Sequence, residues 1–169
     1  MPDTEVLPAL LPDGVRREVY TLRRDRCVIE TSLRLLRFPV LRGRFSASGG
    51  HFDVAEPELT VVLDAASLRV GVPFLSRFLT GPRGLSTADH PDVVVEAPVV
   101  LLGADRVVDL VCRVVLPGTT RDLRLRGDLR YVDDERIILW AKGILPKTRR
   151  KARFARRRVH VEIAMEFVR

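Results

Sequence analysis

A chain of 169 residues fits one domain, and 46% hydrophobic with 30% charged residues is a globular composition able to bury a core without disulfide or metal staples. The formal charge of +7 is local, because Lys147 to Arg158 holds eight Lys and Arg and no acid, leaving the rest near neutral. The two cysteines, Cys27 and Cys112, stand far apart without ligand spacing and read as buried thiols.

Residues 1–14, MPDTEVLPALLPDG, carry acids where an export signal needs bases, and Pro2, Pro8 and Pro12 break the apolar residues. The segment reads as an irregular arm, neither secretion signal nor membrane span, so the cytoplasm is the expected location. Residues 15–169 form the expected barrel domain, in which the dominant period is two. Cys27–Leu35, Leu41–Phe52 and Glu58–Ala65 are strand candidates. Val72–Thr87, with Phe74, Leu75, Phe78 and Leu79, breaks the alternation and predicts a short helical or irregular insertion. Pro91–Val100 resumes it, with Pro91 at the strand's start, where a missing N–H costs least.

Val107–Leu116 places Leu110, Cys112, Val114 and Leu116 on one face. The turn Pro117-Gly118-Thr119-Thr120 predicts a hairpin with Arg121–Tyr131. There Leu123, Leu125, Leu129 and Tyr131 share one face, and Asp122, Arg124, Arg126, Asp128 and Arg130 the other. Asp133-Asp134-Glu135 reads as a solvated turn before Ile137–Ala141. The last strand, Val159–Val168, aligns Val159, Val161, Ile163, Met165 and Phe167.

About eight antiparallel strands, each with one apolar face, make a barrel or a sandwich, and closure removes the exposed edges. The inward faces are aliphatic and bring no charge inside, which suits either a filled core or an apolar cavity. Catalytic signatures are missing: His51, His90 and His160 lack metal-ligand spacing, and there is no Gly-rich phosphate loop or Gly-x-Ser-x-Gly. No catalytic residue, metal or cofactor is expected.

Several short motifs occur in a familiar order. Tyr20-Thr21-Leu22 is followed by Gly43-Arg44-Phe45, then Leu63-Asp64-Ala65-Ala66-Ser67-Leu68, His90-Pro91 and Gly118-Thr119-Thr120-Arg121-Asp122-Leu123-Arg124-Leu125. From about Tyr20 to Phe167 the chain resembles the YceI-like family of lipocalin-like barrels, which hold polyisoprenoid or other long apolar chains. The resemblance implies an all-β, antiparallel lipocalin-like barrel of about eight strands with a short helical insertion. Arg26-Cys27 stands where the family often has His-Ser, and Ser76-Arg77-Phe78-Leu79 where it often has Asp-x-His-Leu, so polar groups near the ligand entrance are replaced.

The expected function is binding or carriage of a long isoprenoid- or lipid-like molecule. The inward faces nominate Ile29, Leu33, Phe45, Val61, Leu63, Val93, Val95, Val114, Leu116, Leu123, Leu125, Leu139, Val161, Ile163 and Met165 as lining, with Phe74 and Phe78 covering one end. The alternative is a cofactor-free cyclase or isomerase acting on a polyene in the same cavity. The basic run nominates Arg149, Arg150, Lys151, Arg153, Arg156 and Arg157, with Phe154 as a shallow anchor, for an anionic headgroup or membrane surface. Nucleic acid is the less favoured partner, since one interleaved aromatic gives poor stacking. A homodimer is implied by analogy with relatives alone.

Overall fold

The computed structural model describes residues 17–35, 38–102, 106–145 and 157–169. The expected arm, residues 1–14, lies outside them. Nine strands follow in chain order: β1 (Val19–Leu22), β2 (Val28–Leu35), β3 (Phe38–Asp53), β4 (Glu58–Val70), β5 (Asp92–Leu102), β6 (Val107–Leu116), β7 (Thr119–Val132), β8 (Arg136–Leu145) and β9 (Arg157–Val168). Helix α1 (Pro73–Thr80) sits between β4 and β5.

From β2 onward each strand pairs antiparallel with the next, and β9 returns to pair with β2. The result is the closed eight-strand antiparallel barrel, with one short helix, that alternation and the family resemblance predict. Strand β1 uses the same two neighbours as β2. Tyr20 pairs with Phe52 of β3, and Leu22 with Phe167 of β9. β1 and β2 are therefore two halves of one stave, interrupted by a 3-10 turn at Arg24–Arg26.

Side-chain alternation decides what faces inward. Along β6, Val108, Leu110, Cys112 and Val114 are buried while Asp109, Val111, Arg113 and Val115 are exposed. β7 repeats this through Leu123, Leu125 and Leu129. A bulge between Leu129 and Tyr131 then shifts the register, and Tyr131 turns outward instead of following Leu129 inward. Outside, the Arg136 guanidinium covers its ring at 4.4 Å. Gly118, at φ +66°, supplies the left-handed residue that the tight β6–β7 turn requires.

One end of the barrel is filled. Tyr20, Phe52, Leu59, Val100, Leu110, Ile137, Leu139 and Phe167 are fully buried there. The Tyr20 hydroxyl donates to the Asp134 carbonyl at 3.3 Å, tying β1 to the β7–β8 turn. Among the described residues no polar or charged residue is buried, so the interior carries no unpaired polar cost. No helix of the described residues is long and apolar enough to cross a membrane.

Candidate functional site

Away from that filled end the inward residues become smaller. Val61, Val93, Val95, Val114, Val159 and Val161 replace the aromatics, and short β-branched side chains fail to meet across the barrel. The space left is a cavity of about 190 Å³. Ile29, Phe45, Val61, Leu63, Val93, Val95, Val114, Leu116, Leu123, Leu125, Val161, Ile163 and Met165 line it, as do Thr31, Leu59, Cys112, Leu145 and Val159. A second space of about 420 Å³ is bounded by Leu33, Leu41, Gly43, Leu68, Val70, Leu79, Gly84 and Leu85. Thr31, Phe45, Leu145 and Val159 border both spaces and form a collar between cavity and mouth.

Among the described residues that line the cavity none is charged. Thr31 places a hydroxyl in its wall, and that hydroxyl donates to the Gly43 carbonyl at 3.3 Å. Cys112 places a thiol there, and burial pushes its pKa up to about 12, so it stays neutral. Cys27, half-buried at the 3-10 turn, is pushed up to about 11 for the same reason. A wall of this kind excludes ionic ligands and accepts hydrocarbon.

The mouth owes its shape to α1 and the loop behind it. The Ser76 hydroxyl accepts the Val70 N–H at 3.0 Å, anchoring the helix to the end of β4. The Leu85 N–H bonds the Leu79 carbonyl at 2.7 Å, and the Thr87 hydroxyl bonds the Thr80 carbonyl at 3.1 Å. These bonds fold residues 81–87 back onto the helix, so that Leu79 and Leu85 both border the mouth.

Four nominated residues stand elsewhere than expected. Leu139 faces inward but belongs to the filled end and borders neither space. Phe74 and Phe78 also border neither space and are exposed. Leu75 and Leu79 occupy the helix's inner side, which turns the two phenylalanines, also four residues apart, to the outer one. Leu33 is at the mouth, not in the deeper cavity. The apolar pattern does not single out Thr31, which is polar, although it lies in phase between Ile29 and Leu33.

Of the nominated anionic contacts, Arg149, Arg150, Lys151, Arg153, Phe154 and Arg156 lie outside the described residues. Arg157 opens β9 opposite Leu35. The described residues that bracket positions 146–156 are Leu145, which ends β8, and Arg157, itself part of the run. Leu145 and Val159 belong to the collar, so those strand ends stand at the open side of the barrel.

Polar groups gather at the opposite, filled end. The Asp133 carboxylate accepts the backbone N–H groups of Glu135 at 2.9 Å and Arg136 at 2.6 Å. The Tyr131 hydroxyl, and after it those backbone bonds, hold that carboxyl below its ordinary range. This is the capped turn that the sequence predicts. Among the described residues no group of three or more His, Cys, Asp or Glu is placed to hold a metal ion.

No family model matches the chain, and no curated protein matches it. Solved structures do. BcnA from Burkholderia cenocepacia aligns with 86% of this chain and 98% of its own, with a TM-score of 0.63 and 13% identity. A polyisoprenoid-binding domain from Saccharophagus degradans, implicated in plant cell wall breakdown, aligns with 88% of this chain and 97% of its own, with a TM-score of 0.63 and 18% identity. At these identities the likeness is one of fold. The chain has the barrel that its resemblance to the YceI-like family implies.

Proposed function

We propose that the protein binds or carries a long apolar molecule, isoprenoid- or lipid-like, inside the barrel. The observation that carries this is the uncharged cavity of about 190 Å³ adjoining a mouth of about 420 Å³. Separately the two spaces bracket the lower end of ligand pockets, and joined at the collar they suit an elongated ligand. One fold neighbour is a polyisoprenoid-binding domain, which supports the same ligand class.

Energetics favour length. Burying about ten methylenes yields roughly 8 kcal/mol. Association and chain ordering cost about 4 kcal/mol or more. A chain of half that length would hardly hold. A cyclase or isomerase gains little here, because the described wall residues offer no acid–base pair and catalysis would rest on chain conformation alone.

Native mass spectrometry of protein purified from its host tests the proposal. The expected result is a mass above that of the bare chain, or uptake of an added prenyl lipid. A bare-chain mass with no uptake would refute it.

A further inference from the structure

Helix α1 turns an apolar face to solvent at the open end of the barrel. Phe74 is 76% exposed and Phe78 55%, the two highest values among the large hydrophobic side chains of the described residues. Four residues apart, they stand one above the other on the helix, and Val72 just before it is exposed too. Scattered apolar residues are ordinary on a protein surface. Two phenylalanines on one face of an eight-residue helix form a patch that asks for a partner.

The chain segment that carries the patch has charge of one sign. From Ala65 to Ala88 the chain contains Arg69, Arg77 and Arg83 and no Asp or Glu. All three arginines are exposed, and among the described residues none is in an ion pair. The acids bounding the stretch are engaged locally: Asp64 accepts the Ala66 N–H at 2.9 Å, and Asp89 accepts the Ser86 hydroxyl at 2.8 Å. Aromatic side chains flanked by arginine are the chemistry of a helix lying in an anionic membrane interface. The inner side of the same helix supplies Leu79 to the mouth.

We propose that the outer face of α1, through Phe74 and Phe78 with Arg69, Arg77 and Arg83, seats the open end of the barrel on an anionic lipid surface. An apolar chain then passes between bilayer and cavity without crossing water. That passage rests on the ligand-binding proposal; the docking itself does not.

The basic run, kept in every variant, is also expected to attract anionic vesicles, so the readouts are the environment at position 74 and the affinity lost between wild type and a helix variant. Phe74→Trp places a reporter on the patch, with Trp140 on the outer wall of the barrel as the background signal. With phosphatidylglycerol-containing vesicles its emission should move to the blue and be quenched by brominated acyl chains. The double variant F74S/F78S, altered only at exposed positions, should bind those vesicles at least ~tenfold more weakly. Three results overturn the docking: no binding of the wild type, emission unchanged at position 74 on the bound protein, or equal binding by F74S/F78S. Uptake of a prenyl lipid supplied without vesicles reads the cavity by itself. F74S/F78S should keep that uptake and lose uptake from vesicles. Failure of vesicle-free uptake in the wild type would count against the cavity proposal and leave the docking result standing.

Discussion

Phe52 and Phe167 meet inside the filled end of the barrel with ring centroids 5.8 Å apart and planes tilted by 58°. Both pair with β1, Phe52 with Tyr20 and Phe167 with Leu22. The pair thus fastens β3 and β9 across the half-stave that β1 provides. Tilted contacts of this kind add to the burial of two large rings.

Truncating either ring should open the floor. Phe167→Ala is expected to cost about 3–5 kcal/mol, since a fully buried aromatic leaves a cavity that the surroundings only partly refill. Phe167→Leu should cost less than half of that. Urea unfolding midpoints measure both. A near-neutral Phe167→Ala would show that the filled end does not hold the barrel shut.

Gly127 is set by a second close approach. It faces Ala141 across the β7–β8 ladder, and a methyl group there would collide with the Trp140 carbonyl. Gly127→Ala should therefore destabilise by about 1–3 kcal/mol. Gly49→Ala makes the control, because its added methyl meets open space, and it should stay within about 0.5 kcal/mol of wild type. Equal midpoints for the two variants would contradict the packing described.

Most of the barrel is written in the alternation of its strands, and β6 begins and ends where the pattern does, at Val107 and Leu116. β8 runs past the expected Ala141 to Leu145, since Gly143 interrupts the apolar pattern without ending the strand. Period two says which side a residue faces but not its height along the barrel. Leu139 and Val161 share that property, yet one packs the floor and the other borders the cavity. Nor does it reveal a bulge, which is why Tyr131 turns out. On α1 the sequence offers two pairs with equal spacing, Phe74/Phe78 and Leu75/Leu79. The choice between them is made by the Ser76 anchor and the packing of Leu79 and Leu85 at the mouth, contacts that no local pattern encodes.

Filling the cavity should separate binding from stability. Val161 borders it between Thr31 on β2 and Gly143 on β8. Because Val161 itself lines the void, Val161→Phe can extend into it. Its stability should stay within about 1.5 kcal/mol of wild type. Prenyl-lipid uptake, measured by native mass spectrometry, should fall at least ~tenfold as the free volume disappears. Unchanged uptake would place the ligand elsewhere.

Alkaline pH should weaken the fold through its two thiols. In the folded chain burial raises Cys112 to about 12 and Cys27 to about 11, from an ordinary 9.0. Between those values the unfolded chain has released its thiol protons and the folded chain still holds them. By linkage, the thiol contribution is complete below pH 9.0 and declines as pH rises, by about 1.4 kcal/mol per pH unit for each thiol. The decline from Cys27 ends near 11 and that from Cys112 near 12. Other groups titrate in this range, so the comparison is between wild type and C27A/C112A. Both lose stability above pH 9.0, and the variant should lose it less steeply in urea unfolding followed across that window. Parallel curves would mean that neither thiol is shielded from water. A labelling measurement is independent of stability: at neutral pH a thiol reagent should leave Cys112 unmodified until urea unfolds the barrel.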